Sequence, residues 1–262
     1  MRYIADHDFH IHSTVSSCCH DETQTPEALM NYAKANGFKK ICLTNHFWDE
    51  KVRSEAEWID EHDFAHVSSV LPLPKDESVD FLFGCETDMD YNNVLGISDE
   101  RFDVFDFVIV STTHLHLDGN TVRTKIEEPK EAAFHWIDKL ENLLCKDLPF
   151  HKIGIAHLTS GHILKNQTAE TLSLIPDSTM YSLFGECSRR GVGIELNVKT
   201  INMSDSEKEI FLRPYVIAKE CGCKFYLGSD SHKASALANA KENFEDVITK
   251  LELKESDKFV VR

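Results

Sequence analysis

The sequence predicts an α/β fold in which parallel strands are joined by helical crossovers. Three observations carry that reading. Short β-branched and aromatic runs alternate with longer amphipathic ones, each apolar run closes on a polar residue, and those closing residues lie 28 to 43 residues apart. Steps of roughly 30 residues or more are those of a βα unit. If the strands close into a barrel, their C-terminal ends meet at one rim, where such folds carry their chemistry.

Strands are predicted at 3–12, 41–45, 81–86, 107–111, 153–157, 192–197 and 225–229. In the first, the side chains of Asp8-Phe9-His10-Ile11-His12 alternate, which places Asp8, His10 and His12 on one face and Phe9 and Ile11 on the other. The first helix starts at Thr25-Pro26, where Thr can cap and Pro suits the first helical position. It stops at Gly37, with Leu29, Tyr32 and Ala33 on its buried face. Further helices are predicted at 58–70, 129–145, 180–190, 206–222 and 233–253, with Pro214 kinking or dividing the fifth. The stretch 87–103 has no helical pattern and is expected to cross over as a loop.

The chain has 262 residues, 42% of them hydrophobic, and no linker, low-complexity tract or internal repeat, so a single domain over 1–262 is expected. The first residues lack the apolar core of a secretory signal, and no stretch approaches the ~18 apolar residues of a membrane span. A cytoplasmic protein without membrane partners follows as the expectation. Eight cysteines without a Cys-x-x-Cys pair read as reduced core thiols. Forty-four acids against 28 bases give a net charge of -16, which argues against nucleic acid as the main partner and requires local positive charge for any small anionic substrate. Fourteen histidines supply ligands available near neutral pH.

The residues closing the strands are His10 with His12, His46, Glu86, His114, His157, Asn197, and Asp230 with His232. Together with His20 they form motifs in order: Asp8-Phe-His-Ile-His12, His20, Leu43-Thr-Asn-His46, Gly84-Cys-Glu86-Thr-Asp88, Ser111-Thr-Thr-His114, Ala156-His157 and Gly228-Ser-Asp230-Ser-His232. In these motifs the chain resembles the polymerase and histidinol phosphatase (PHP) family of metal-dependent phosphoesterases. The resemblance implies a distorted, TIM-like, seven-stranded (β/α)7 barrel holding three divalent ions, with zinc, manganese and iron as candidates. Carried over residue by residue, His10, His12, Glu86 and Asp230 would hold the first ion. Glu86, bridging, would hold the second with His114 and His157, and His20, His46 and His232 would hold the third. A hydroxide between the first two ions, held by way of Glu86 and Asp230, would attack phosphorus while the third ion grips a phosphoryl oxygen.

The implied substrate is a small phosphate monoester, with histidinol phosphate as a specific candidate and a phosphodiester of short nucleotides as a near relative. Two further readings are an amidohydrolase barrel, which would need a bridging lysine where this chain offers Glu86, and a catalytically silent metal-binding module. The run His157-Leu-Thr-Ser-Gly-His162 departs from the His-Pro-Asp type expected of histidinol phosphatases. Lys199 and His116 are candidate substrate contacts, and Asp8 and Asp88 are candidates to orient imidazoles. Asn45 stands where the family commonly has Asp, which weakens carboxylate support for His46. His162 falls in a loop, and His7, His62, His66, His135 and His151 are given no chemistry.

Overall fold

The computed structural model describes residues 1–56 and 62–261. Among them, eight strands alternate with helices in an α/β arrangement. In order these are β1 (His7–Ile11), α1 (Pro26–Asn36), β2 (Lys40–Leu43), α2 (Phe64–Val67), β3 (Asp80–Phe83), β4 (Cys85–Asp88), α3 (Asp99–Phe102) and β5 (Val108–Ser111). There follow α4 (Pro129–Leu144), β6 (Ile153–Ala156), α5 (Thr168–Leu174), α6 (Asp177–Arg190), β7 (Gly193–Leu196), α7 (Asp205–Glu220), β8 (Lys224–Leu227), α8 (Ala234–Leu237) and α9 (Ala240–Lys250). No helix among the described residues is long and apolar enough to cross a membrane.

Local signals set several ends. Thr25 accepts a hydrogen bond from the Ala28 amide and Pro26 opens α1, while Gly37 closes it at φ 67°, a left-handed conformation that costs glycine little. Ser204 and Glu207 form a reciprocal capping box on α7, which runs unbroken through Pro214, so the expected division there does not occur. The predicted 233–253 helix is instead two, α8 and α9. Of the predicted 58–70 helix, 58–61 lie outside the described residues; α2 and a 3-10 turn, Ser68–Val70, occupy 64–70. A one-turn helix, α3, lies in the expected loop.

Every pairing between named strands is parallel, in two sheets ordered β1-β2-β3 and β4-β5-β6-β7-β8. The predicted 81–86 strand is divided at Gly84, its first half pairing with β2 and its second with β5. A Cβ at Gly84 would come 2.5 Å from the Phe107 carbonyl oxygen and 2.6 Å from Cys42 Sγ, so the close approach of the neighbouring strands requires glycine here. Beyond the far end of β8, the Asp230 amide donates to His10 O at 2.8 Å and the His12 amide to Ser231 O at 3.1 Å. Gln24 straps the same junction, its amide donating to both His12 O and Ser231 O.

The first strand departs from simple alternation. Asp8 pairs with Ile41 but Ile11 with Leu43, so one extra residue is accommodated between them as a β-bulge. Phe9 consequently packs inward on Phe107 and Tyr226, and His10 also points inward. Asp8 turns out towards α1, contrary to the expected shared face and to an imidazole-orienting role. Its carboxylate accepts from Tyr32 Oη at 2.9 Å, the Ser229 amide at 3.0 Å and the His10 amide at 3.3 Å. Burial pushes this carboxyl up to about 6 against the opposing pull of those hydrogen bonds. Asp8→Ala would leave three buried donors without an acceptor, and we expect a loss of ~3 kcal/mol or more, read as a fall in Tm of roughly 6–12 °C. An unchanged Tm in thermal unfolding would show that Asp8 does not tie these elements together.

Candidate metal centre

Among the described residues, the strand ends and the loops that follow them deliver three overlapping groups of ligand-type side chains, each with its ligand atoms within 4.8 Å of one another: His10, His12, Glu86 and Asp230; Glu86, His114 and His157; and His12, Cys18, His46 and His232. In the first, His10 Nε2 lies 3.1 Å from His12 Nε2, and both lie 3.3 Å from Glu86 Oε2. Asp230 Oδ1 is 3.2 Å from His12 Nε2 and 3.5 Å from His10 Nε2. The other oxygen of Glu86, Oε1, faces the second group, 2.9 Å from His157 Nε2 and 3.8 Å from His114 Nε2. Glu86 therefore spans two groups with one buried carboxylate.

Backbone conformation helps aim these side chains. His157 and Asp230 each follow a strand end and adopt positive φ, 31° and 50°, a region sparsely populated by residues with a Cβ. Such strain persists where the surroundings hold it, and it concentrates at functional sites. Here it falls on two residues that turn from the ends of β6 and β8 into the centre.

The outer nitrogens fix which ring atom faces inward. His10 Nδ1 is 2.6 Å from Glu195 Oε1, and His114 Nδ1 is 2.9 Å from Asp88 Oδ1. Carboxylates only accept, so both Nδ1 atoms carry hydrogen. His232 Nδ1 likewise donates to the Asp230 carbonyl at 3.1 Å. The Ser16 hydroxyl donates to Asn45 Oδ1 and therefore accepts from His12 Nδ1 at 3.0 Å. Thr113 Oγ1 donates to His157 O and accepts from His157 Nδ1 at 2.7 Å. Five imidazoles, when neutral, thus present Nε2 lone pairs to the interior.

That arrangement fits divalent cations. Glu86 Oε2 is buried and receives no hydrogen bond, although His46 Nδ1 stands 3.1 Å away and two Nε2 atoms stand at 3.3 Å. Lone pairs facing lone pairs at these separations repel unless a positive charge lies between them. Imidazole nitrogen with carboxylate oxygen is a donor set suited to zinc, iron and manganese. In the protein alone, protons balance the charge. Burial opposes ionisation of His10, but Glu195, Glu86 and Asp230 outweigh it and hold the ring's pKa well above its ordinary value. Burial also lowers that of His114, and the Asp88 carboxylate more than restores it, to about 9. Glu86 and Asp230 are kept well below the usual carboxylate range despite burial, chiefly by His10. Cation loading would displace such protons.

Other candidates fall around this centre. Asp88 contacts His114 as expected of an orienting residue. Asn45 Oδ1 accepts from the Ser16 hydroxyl, which in turn accepts from His12 Nδ1 and from the His46 amide, so Asn45 braces the His12 ring and the His46 backbone and gives the His46 ring no carboxylate support. His116 and His162, their rings 4.6 Å apart, line a cavity of about 310 Å³ above the groups, with Asp88, His114 and Asp230. His62 lines it too and meets Ser17 Oγ at 3.1 Å, a placement that its position in a linking stretch did not suggest. Lys199 is exposed on an adjoining cavity, together with His20. His20 is exposed and lies outside the three groups. Glu195 was missed altogether; its signal was an acid flanked by Ile194 and Leu196 in a fully buried strand.

The PHP domain family model matches residues 8–198. No curated protein sequence matches the chain. Among solved structures, the histidinol phosphate phosphatase of Lactococcus lactis subsp. lactis Il1403, complexed with zinc, L-histidinol and phosphate, is similar at a TM-score of 0.60 and 16% identity, with 97% of this chain and 98% of that chain covered. A protein of Listeria monocytogenes assigned as a histidinol phosphatase is similar at a TM-score of 0.57 and 14% identity, covering 91% of this chain and 99% of that chain.

Proposed function

The chain belongs to the PHP domain family, and from that premise we propose that it is a metal-dependent phosphoric ester hydrolase acting on a small phosphate monoester. The observation that carries the reading is the buried Glu86 carboxylate, ringed by imidazoles whose Nε2 lone pairs are turned towards it by acceptors on their far sides. We read the two sheets, continuous through Gly84 and joined by the β1 to β8 junction, as one distorted seven-stranded barrel forming a single domain.

Three cations are proposed. His10, His12, Glu86 and Asp230 would hold one, Glu86, His114 and His157 a second, and His46 with His232 would contribute to a third. Divalent cations supply Lewis-acid charge and acidify water near neutral pH. The chain's own residues do the positioning. Glu195, Ser16, Thr113 and Asp88 hold the rings in the ligating tautomer. Glu86 fixes the separation of the first two groups by spanning them. His116, His162 and His62 wall a cavity at the lower end of the range typical of small-molecule sites. That size supports a metabolite-sized ester, and the Lactococcus complex makes histidinol phosphate the first candidate to try.

The test is a panel of phosphorylated metabolites, including histidinol phosphate and a bis-aryl phosphodiester, assayed on protein of known metal content. We expect monoester turnover that is abolished by chelation and restored by zinc or manganese. Retention of full turnover in metal-free protein would overturn the metal dependence. Diester turnover alone would move the substrate to short nucleotides, and cation binding without any turnover would leave a metal-binding module.

Lys199 is proposed as a substrate contact from the adjoining cavity. Because its ammonium is exposed, Lys199→Ala should raise KM by about threefold to fivefold while leaving kcat nearly unchanged, the pattern of a group that binds ground state and transition state alike. A KM equal to that of the unmutated enzyme would remove Lys199 from the site.

A further inference from the structure

The third group contains a cysteine where the family resemblance calls for His20. We propose that the third cation is held by the Cys18 thiolate with the imidazoles of His46 and His232, and that His20 is not a ligand. This rests on the reading above that the chain carries a multinuclear metal centre.

Four ligand-type residues meet at this position: His12, Cys18, His46 and His232. His12 is already committed. Its Nδ1 is bonded to Ser16, and its Nε2 faces His10, Glu86 and Asp230 at 3.1 to 3.3 Å. His232 is oriented by the donation from its Nδ1 to the Asp230 carbonyl, which leaves Nε2 as its ligating atom. Cys18, His46 and His232 remain. The neighbouring Cys19 is engaged elsewhere, its thiol donating to the His232 carbonyl at 3.1 Å, and it belongs to none of the three groups.

One sulfur and two nitrogens make three protein ligands, which leaves an open position of the kind that catalytic zinc sites keep. The chemical class of cation follows from the donor. Thiolate favours zinc and cobalt(II) over magnesium and manganese, whereas an all-imidazole site discriminates less. Binding requires the thiol to lose its proton to solvent, and the thiolate offsets one positive charge of the ion.

The test uses cobalt(II) as the probe on the full-length chain. The unmutated protein should show near-ultraviolet thiolate-to-cobalt charge-transfer absorption. Cys18→Ser should lose that band together with one cation per chain by elemental analysis, while Cys19→Ser and His20→Ala keep both. If cobalt binds without a thiolate band, or His20→Ala loses the cation and Cys18→Ser does not, the Cys18 assignment is overturned and the metal centre stands. If no cobalt binds at all, the centre falls and this proposal with it. A measurement free of mutation guards against misfolding. In the unmutated chain, zinc should slow alkylation of Cys18 by about tenfold or more, leaving exposed Cys145 unaffected. Equal Cys18 rates with and without zinc would refute thiolate ligation.

Discussion

Glu86→Gln is expected to lose bound cations and to lower turnover of a phosphate monoester by more than about 100-fold, beyond the 10- to 100-fold loss typical of outer-sphere groups, while leaving the fold intact. The substitution keeps the shape of the side chain but replaces one anionic oxygen with an amide. In the protein, Oε1 faces His157 and His114 and Oε2 faces His10, His12 and His46, so a single change weakens two groups at once. An amide nitrogen can donate to an imidazole lone pair but cannot ligate a dication. The variant should therefore be well ordered and metal-poor. Circular dichroism would report the fold and elemental analysis the cation content. Full stoichiometry with full activity in Glu86→Gln would sink the assignment of this carboxylate as the bridge between groups.

Much of the framework was legible because its signals are local. Thr25-Pro26 and Gly37 bound α1 by capping chemistry, and five of the seven predicted strands return within about a residue or two at each end. The first is trimmed to β1 at its N-terminal side, and the third is divided at Gly84. What failed depends on tertiary contacts. Alternation put Asp8 with His10, but a bulge in β1 reverses that, and a bulge answers to the neighbouring strand more than to the strand's own residues. The helix α5 was not foreseen, since the 168–174 stretch is short and weakly patterned. At the site, the groups of His10, His12, Glu86 and Asp230 and of Glu86, His114 and His157 come together as the family resemblance implied. The resemblance pointed to His20 and the cysteines were read as core thiols, but the path of the chain after β1 brings Cys18, and not His20, to His46 and His232. Glu195 escaped notice because its partners, His10 and His157, lie 185 and 38 residues away in sequence.

Glu195→Gln is the second large effect. The Glu195 carboxylate is fully buried and accepts twice, from His10 Nδ1 at 2.6 Å and from the His157 amide at 2.6 Å. Glutamine has one oxygen and one NH2, so one of these two donors must face another donor. If the oxygen stays on the His157 amide, His10 can relieve the clash only by moving its proton to Nε2, the atom that should ligate. If the oxygen turns to His10, the His157 amide is orphaned, at a cost of about 1–3 kcal/mol, next to a residue already held at positive φ. Either route should weaken cation affinity by roughly 10- to 100-fold and lower kcat/KM in step. Gly228 offers an independent approach to the same carboxylate. A Cβ there would lie 2.0 Å from Glu195 Oε1 and 2.7 Å from His10 Cβ, so Gly228→Ala must displace the Glu195 carboxylate or the β1 end. Competition with a chromophoric zinc chelator would measure both variants. Should Glu195→Gln bind zinc as tightly as the unmutated chain, His10 does not depend on this hydrogen bond for its tautomer, and the account of how the outer acceptors prepare the centre would have to be abandoned.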